Sequence, residues 1–199
     1  MSTDVIVCTH SHKLQITEIG RTTCMVFEFE NQPPITTLLV GDVHAVETPL
    51  VRLHSRCLYA EVFRSEDCDC LAQRDLALLM IKKEGAGAFL YLEQEGRGSG
   101  TINKAKAYAV SQSEALDTVK AFLALGLDVD PRSYSGAAAA LARLGMTRVR
   151  LLTNNPAKVS GLADGGIIVE RVPLRTRPTD FNLDYLKAKQ SKLGHDLGI

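Results

Sequence analysis

Three of the five cysteines lie in one short stretch, and their spacing constrains the fold more than any other feature of this sequence. The cysteine trio consists of Cys57 and, after ten intervening residues, the pair in Cys68-Asp69-Cys70, between a strand-like apolar run and a helix-like stretch. Thiolates are strong ligands of Zn²⁺, and three of them leave the fourth tetrahedral position open to water. The alternative is two buried, inert thiols and one incidental thiol, because free cysteines are commonly buried. The position of the trio among charged residues favours zinc in an open site.

The composition excludes several classes of function. Lysine plus arginine and aspartate plus glutamate each number 23, so the net charge recruits neither nucleic acid nor a membrane surface. No apolar run approaches the roughly 18 residues of a spanning helix, and the first residues lack the pattern of a signal peptide. An odd number of cysteines and the need for reduced thiolates favour a reducing compartment. We therefore expect a cytoplasmic protein that is long enough to bury a sizeable core.

The first fifty residues are predicted to be mostly β-structure. Residues 14–19, 22–30 and 36–43 are short runs rich in β-branched and aromatic side chains, and turn residues separate them. His10 and His12 precede these runs, either as a metal-binding pair or as part of a mobile terminal segment, and the second interpretation is favoured. Residues 49–55 are a further predicted strand, which ends beside the first cysteine of the trio.

Strands and helices alternate after residue 85, and this pattern predicts an α/β sheet with partly parallel strands. Predicted strands cover residues 88–94, 149–155 and 166–172, and predicted helices cover residues 71–83, 103–111, 115–125, 135–146 and 181–194. We expect one domain over residues 1–199. It should contain a mixed β-sheet flanked by helices, with an antiparallel, β-rich N-terminal part over about residues 1–56.

Three loops carry residue types suited to a small anionic ligand. Residues 94–100 (QEGRGSG) combine glycines that allow close backbone approach with an arginine that can pair with phosphate, although a glycine-rich surface turn is the alternative. Residues 152–158 lead from the end of a predicted strand into a helix, a position where ligands of open α/β sheets collect. Asn155 and Pro156 there also fit an ordinary helix start. Asp130 and Arg132 are a solvated loop pair unless their loop faces the zinc.

Taken together, these motifs resemble the GTP cyclohydrolase II family. The matching segments, in the family's order over roughly residues 40–196, are RLHSRC, CDC, QEGRG, NKAKAYA, LDTV, DPR, RVRLLTNNPAK, VERVPL and KLGH. The resemblance implies the family's fold and a homodimer. It also implies a reaction in riboflavin biosynthesis, in which water attacks C8 of GTP, the imidazole ring opens and formate leaves. Pyrophosphate is released with the help of Mg²⁺, and the product is 2,5-diamino-6-(5-phosphoribosylamino)pyrimidin-4(3H)-one.

The resemblance also implies roles for particular residues. The cysteine trio matches the zinc ligands, Asp130 the proposed proton acceptor, and Tyr108 a tyrosine near the reactive water. Arg132 matches an arginine proposed to attack the α-phosphorus. Because a guanidinium is protonated at any working pH, clamping the phosphate charge suits Arg132 better. The implied substrate-binding residues are Arg52, Leu53, His54, Ser55, Arg56, Gln73, Glu95, Gly96, Arg97, Thr118, Thr153 and Lys158.

One implied contact can be stated in chemical detail. The carboxylate of Glu95 would accept hydrogen bonds from the N1–H and 2-amino groups of guanine. Adenine offers neither donor, so such a pairing would reject it strongly.

The sequence departs from the family pattern near the proposed site. Arg56 stands where the family usually has the glutamate of HSEC, and Asp67, Glu93 and Ser99 replace residues of the SLRCDCG and RQEGRGIG segments. An acid in place of an arginine changes the local charge by two units. Phosphate binding is therefore expected to be either weaker or rearranged around Arg56.

Two alternatives accompany the main hypothesis. The first is a divergent member, such as a paralogue in a specialised pathway, that stops at the formylated intermediate or uses another guanine nucleotide. The second is a non-catalytic nucleotide-binding protein with structural zinc. Structural zinc sites are normally closed, so a fourth protein ligand, His54 or Asp69, would indicate the second alternative.

Overall fold

The structure is a computed structural model, and it describes residues 6–198. Its strands are β1 (Ile6–Ile16), β2 (Gly20–Phe29), β3 (Ile35–Val40), β4 (Leu50–Ser55), β5 (Gly87–Leu92), β6 (Arg148–Leu152) and β7 (Ile168–Val172). They form one seven-stranded sheet in the order β1-β2-β3-β5-β4-β6-β7. The pairs from β1 to β5 along this order are antiparallel, and those from β5 to β7 are parallel. The predicted mixed α/β fold with an antiparallel N-terminal part is confirmed.

The helices from residue 70 onward follow the predicted positions with small differences at their ends, whereas the short helix before them was not predicted. They are α1 (Leu58–Glu61), α2 (Cys70–Glu84), α3 (Gly100–Glu114), α4 (Thr118–Ala124), α5 (Ser135–Arg143), α6 (Pro156–Asp164) and α7 (Leu183–Leu193). The predicted start of α6 is confirmed, because the side chain of Asn155 accepts a hydrogen bond from the backbone N–H of Ala157. Among residues 6–198, no helix combines the length and the apolar character needed to cross a membrane.

The N-terminal strand is longer than the sequence indicated. The expectation of a mobile terminal segment around His10 and His12 is wrong, because both residues lie in β1 and pair with Val26 and Cys24 of β2. Backbone hydrogen bonds to a neighbouring strand order this polar stretch. Backbone hydrogen bonds do not depend on the pattern of side chains along the sequence, and the strands were predicted from that pattern.

The alternation of side chains along β4 sorts its residues between the two faces of the sheet. Val51 and Leu53 join the larger core cluster, to which α5 and α6 contribute. Leu50 joins the second cluster, to which α2 contributes. Because successive strand residues point to opposite faces, Arg52 and His54 share the α2 side with Leu50. Both are buried, so β4 places two polar side chains in the interior of the protein, next to the candidate site.

The parallel part of the sheet places three loops at one edge. The strands β4, β5 and β6 are parallel neighbours, so their carboxyl ends lie together. The loops that follow contain residues 56–57, 93–99 and 153–155. Ligands of open α/β sheets bind in the crevice outside such ends.

Candidate active site

A cleft with about 960 Å³ of space opens at this edge of the sheet. Its walls come from the three loops, from the start of α2, and from α3 and α7. It brings together the cysteine trio and all but two of the other predicted site residues. Those that line the cleft are Arg52, His54, Ser55, Arg56, Gln73, Glu95, Gly96, Arg97, Tyr108, Thr118, Arg132, Thr153 and Lys158.

The two exceptions are Leu53 and Asp130. The side chain of Leu53 is fully buried in the larger core cluster, on the opposite face of β4 from Arg52. Its contribution to the site is its backbone carbonyl, which accepts a hydrogen bond from Lys158 Nζ at 2.8 Å. Asp130 does not line the cleft but forms an ion pair with Arg132, which does.

The geometry of the cysteine trio matches that of a tetrahedral metal site. The Sγ atoms of Cys57 and Cys68 are 3.7 Å apart, and all three sulfurs lie within 4.8 Å of one another. A tetrahedral Zn²⁺ about 2.3 Å from each sulfur would place the sulfurs about 3.8 Å apart. The separation of Cys57 and Cys68 matches this spacing, and the third sulfur lies close enough for the trio to hold one zinc ion.

His54 is held away from the trio. Its ring stacks with those of Phe89 and Tyr91, at centroid distances of 5.4 and 5.8 Å, and its Nε2 lies 3.1 Å from Glu61 Oε1. Burial lowers the pKa of His54 to about 4, although the hydrogen bond to Glu61 opposes this shift. The ring is thus neutral at neutral pH and donates its Nε2–H to the carboxylate.

The carboxylate of Asp69 is also engaged by groups outside the cysteine trio. It accepts hydrogen bonds from Lys189 Nζ at 3.1 Å, from Thr176 Oγ1 at 3.2 Å and from the side-chain amide of Gln73. Burial alone would raise the pKa of Asp69, but Lys189 and these donors hold it below its usual range. Within the described residues, neither His54 nor Asp69 belongs to the ligand group that the trio forms.

Lys104 connects the trio to the loop after β5. Its Nζ donates to Cys57 Sγ at 3.3 Å and to Glu95 Oε1 at 2.8 Å, and it lies 4.3 Å from the ring centroid of Tyr59. Hydrogen bonds from the Cys68 and Cys70 thiols, together with the Lys104 charge, lower the pKa of Cys57. One thiolate is therefore favoured in the trio before any metal binds.

Three donors of the chain itself engage the carboxylate of Glu95. Its carboxylate accepts from Lys104 Nζ and from the backbone N–H groups of Leu58 and Gly96, at 2.8, 2.6 and 3.0 Å. These donors take three of the roughly four acceptor sites of a carboxylate. In this arrangement Glu95 holds the loop and Lys104 in place, and little of its capacity remains for a guanine base.

Cationic side chains predominate over acidic ones among those that line the cleft, although the chain as a whole has no net charge. Glu95 supplies the one carboxylate among the lining side chains of the described chain. Against it stand the seven lysines and arginines Arg52, Arg56, Arg97, Lys104, Arg132, Lys158 and Lys189. Burial lowers the pKa of Arg52 to about 10 and, with Arg52 and Arg132 nearby, holds the pKa of Lys158 well below its usual range. Four of the seven pair with a carboxylate, and a polyanion in the cleft would offset the charge of the other three, Arg52, Arg97 and Lys158.

Arg132 points into the cleft from a tight ion pair with Asp130. Its Nε and Nη2 donate to the two carboxylate oxygens at 2.7 and 2.6 Å, and its Nη1 lies 3.4 Å from Ser55 Oγ. Burial would raise the pKa of Asp130, but Arg132 lowers it. Gly98 permits this placement, because a Cβ at that position would lie 3.2 Å from Arg132 Cγ.

Arg97 is held by aromatic rings at the other side of the cleft. Its guanidinium carbon lies 5.7 Å from the ring centroid of Phe122 and 5.9 Å from that of Tyr185, and its Nη2 lies 3.5 Å from Thr118 Oγ1. Its backbone has a φ of 58°, a strained conformation for a residue with a side chain. Arg97 Nη1 is buried without a hydrogen-bond partner in the described part of the chain. It is therefore a donor available to a bound anion.

The departures from the family pattern compensate one another in part. Arg56 Nη1 lies 2.9 Å from Glu93 Oε2, with the two side chains 41% and 38% exposed at the mouth of the cleft. Asp67 accepts a hydrogen bond from Ser65 and does not line the cleft. The hydroxyl of Ser99 donates to the carbonyl of Gly96 within the loop. The positive charge gained at Arg56 is thus paired with the negative charge gained at Glu93.

Several lining residues received no role from the sequence. Lys104 and His195 occur in the quoted segments NKAKAYA and KLGH, but nothing in the segments indicated that their side chains line the cleft. Lys189 and Tyr185 lie on α7, which was predicted only as a polar helix. A helix with buried lysines leaves a weak sequence signal, because lysine is ordinarily a solvent-exposed residue.

Comparisons with known proteins agree with the motif resemblance. The family model described as GTP cyclohydrolase II matches residues 8–173. A GTP cyclohydrolase-2 from Actinobacillus succinogenes is 43% identical over 181 residues, which is 90% of this chain and 83% of that protein. A GTP cyclohydrolase-2 from Histophilus somni is 44% identical with the same coverage. A riboflavin biosynthesis protein RibBA from Chlorobium phaeovibrioides is 46% identical over 90% of this chain and 44% of its own length.

Proposed function

This chain belongs to the GTP cyclohydrolase II family, and on that premise we propose that it is a zinc-dependent hydrolase of riboflavin biosynthesis that opens the imidazole ring of GTP. The products are formate, pyrophosphate and 2,5-diamino-6-(5-phosphoribosylamino)pyrimidin-4(3H)-one. Water accounts for each broken bond. One molecule opens the C8–N9 bond, a second releases formate from the resulting formamide, and a third releases pyrophosphate from the α-phosphorus.

The observation that carries this proposal is the position of the cysteine trio in a cleft lined by seven cationic side chains. The trio would hold Zn²⁺, which when bound acts as a Lewis acid and lowers the pKa of a coordinated water to about 7. The cationic side chains suit a triphosphate, whose charge they would balance. A site that unites both features fits a reaction on the base of a nucleotide better than a purely structural metal.

The open fourth position is supported by the surroundings of the trio. The Nε2 of His54 is engaged by Glu61, and the carboxylate of Asp69 is engaged by Lys189. Structural zinc sites usually have four protein ligands, so a site with three favours catalysis over the non-catalytic alternative.

We assign phosphate clamping to Arg132, Lys158 and Arg97. Asp130 and burial hold the Arg132 guanidinium in one orientation, and the hydrogen bonds to Asp130 raise its pKa above the usual range. Because this guanidinium is permanently charged and held in one orientation, it stabilises the negative charge that develops on phosphate oxygens. A protonated guanidinium cannot act as a nucleophile. Because Glu95 is already engaged, Mg²⁺ would be held mainly by the nucleotide phosphates and by water.

Asp130 suits a positioning role better than that of a proton acceptor. Both of its oxygens accept hydrogen bonds from Arg132, and its lowered pKa makes it a weak base at neutral pH. Tyr108 lines the cleft near the trio, and burial raises its pKa. Its hydroxyl is therefore protonated at neutral pH and can donate a hydrogen bond to a reacting group.

One experiment tests the proposed function directly. Purified protein is analysed for zinc, then incubated with GTP and Mg²⁺, and the products are identified by mass spectrometry with separate assays for formate and pyrophosphate. We expect one zinc per chain and all three products. Cys68→Ser should lose both zinc and turnover, whereas Cys24→Ala, a buried cysteine of β2 outside the cleft, should retain them.

The remaining outcomes separate the alternatives. A product that retains the formyl group would identify a member that stops at the intermediate. Zinc without turnover of any guanine nucleotide would identify a non-catalytic nucleotide-binding protein. The proposed homodimer is tested by sedimentation of the same preparation.

A further inference from the structure

A second group of metal-ligand side chains lies on the N-terminal hairpin, outside the cleft. Cys8 and His10 are two residues apart on β1 and therefore share one face of the strand. Glu28 of β2 lies directly opposite Cys8 in the register of the two strands. One thiol sulfur, one imidazole nitrogen and one carboxylate oxygen from these residues all lie within 4.8 Å of one another. The imidazole and carboxylate atoms, His10 Nε2 and Glu28 Oε2, are 3.9 Å apart.

We propose that Cys8, His10 and Glu28 form a separate binding site for a divalent cation of the zinc class. Thiolate, imidazole and carboxylate are the three ligand types that Zn²⁺ takes from proteins. Ligands of a tetrahedral ion lie roughly 3.3 to 3.8 Å apart at the usual bond lengths. The side chains of His10 and Glu28 are 65% and 58% exposed, so small rotations can close the remaining distance. Water completes the coordination, because the site faces solvent.

An ion bound at this site would stabilise the hairpin formed by β1 and β2. Residues 17–19 join β1 to β2 at one end of the hairpin, whereas the three ligands lie near its open end, where β1 begins. Among the described strands, β1 is also the edge strand of the sheet and pairs only with β2. An ion bound across the two strands would hold the open end together. An ion that binds only the folded hairpin also stabilises it by mass action.

His10 and His12, which the sequence offered as a metal-binding pair, do not belong to one ligand group among the described residues. His10 lies near Cys8 and Glu28, whereas His12 pairs with the buried Cys24 further along the hairpin and does not belong to the ligand group. His12 therefore offers a matched control, since it is an exposed histidine on the same face of the same strand. Glu30, which is exposed just beyond the end of β2, offers a control for Glu28.

The test is a Zn²⁺ titration of the full chain under reducing conditions against a competing chelator, which resolves tight and weaker sites. We expect one site at the cysteine trio and a second, weaker site. His10→Ala and Glu28→Gln should each weaken the second site roughly 100-fold or more, since even the loss of an outer-shell partner costs about 10- to 100-fold. His12→Ala and Glu30→Gln should leave it unchanged, and Cys8→Ser should abolish it without altering the trio.

Hydrogen exchange supplies an independent readout. Zn²⁺ added beyond the first equivalent should slow amide exchange in β1 of the wild-type chain and not in Glu28→Gln. The proposal is overturned by identical titrations for all variants, by equal effects of His10→Ala and His12→Ala, or by a dependence on Cys8 alone. Failure of the trio to bind zinc would contradict the proposed function and leave the second site and its variants measurable.

Discussion

The ammonium group of Lys104 donates a hydrogen bond of 3.3 Å to the sulfur of Cys57, while Glu95 holds the same ammonium at 2.8 Å. Three thiolates around Zn²⁺ carry one negative charge in excess, and this excess weakens the ion as a Lewis acid. A buried cation against one sulfur offsets that charge. Groups in this outer position tune a metal site nearly as strongly as its ligands do.

Replacing Lys104 should therefore weaken the metal site. We expect Lys104→Met to lower the affinity for zinc and the value of kcat/KM by roughly 10- to 100-fold each. Competition with a zinc chelator measures the first quantity, and turnover of GTP measures the second. Lys106→Met changes an exposed lysine of the same helix and should leave both unchanged. An unaltered zinc affinity in Lys104→Met would contradict this account of the contact.

The variant Asp130→Asn distinguishes a positioning group from a general base. We expect a rise in KM and a fall in kcat/KM of roughly 10- to 100-fold, because Arg132 loses the partner that orients it. The acidic limb of the pH–rate profile should persist. Loss of a true base would lower kcat by about 10²- to 10⁴-fold and remove that limb. Asp128→Asn, at an exposed position in the same loop, is the control.

The neutral, buried ring of His54 predicts a loss of stability in mild acid. The pKa is about 4 in the folded chain and about 6.5 in the unfolded chain, so below pH 6.5 the unfolded chain binds a proton that the folded chain does not. The free energy of unfolding should fall by about 2 kcal/mol between pH 7 and 5 from this group. Urea unfolding of His54→Gln should show a shallower dependence on pH by that amount. His44→Gln, at an exposed position, should retain the wild-type slope.

The buried ion pair between Lys189 and Asp69 should be costly to break. The Asp69 side chain is 2% exposed, so removal of Lys189 leaves a carboxylate without its charge partner in the interior. We expect Lys189→Met to lower the free energy of unfolding by about 3 to 5 kcal/mol. Lys187→Met, on the exposed side of α7, should change it by less than about 0.5 kcal/mol. Equal effects of the two changes would mean that the pair does not attach α7 to the segment that carries Cys68 and Cys70.

The sequence by itself determined the order of the elements and the residue types of the site. The strands and helices after residue 85 were predictable because their hydrophobic periodicity is local and alternates between two clear patterns. The cysteine spacing and the strand-to-helix loops also indicated the chemistry, since ligand and turn residues act within a few positions. The first part of β1, residues 6–13, was missed because its order comes from pairing with β2.

Only the tertiary structure decided what each side chain in the cleft contacts. The insertion of β5 between β3 and β4 brings Glu95 and Lys104 to Cys57, and no local pattern contains that relationship. The same packing turns Leu53 into the core, engages Glu95 with internal donors and places Lys189 of α7 against Asp69. These contacts join residues from 9 to 120 positions apart. Burial and charge pairing in the folded chain set these contacts. Patterns among neighbouring residues in the sequence do not predict them.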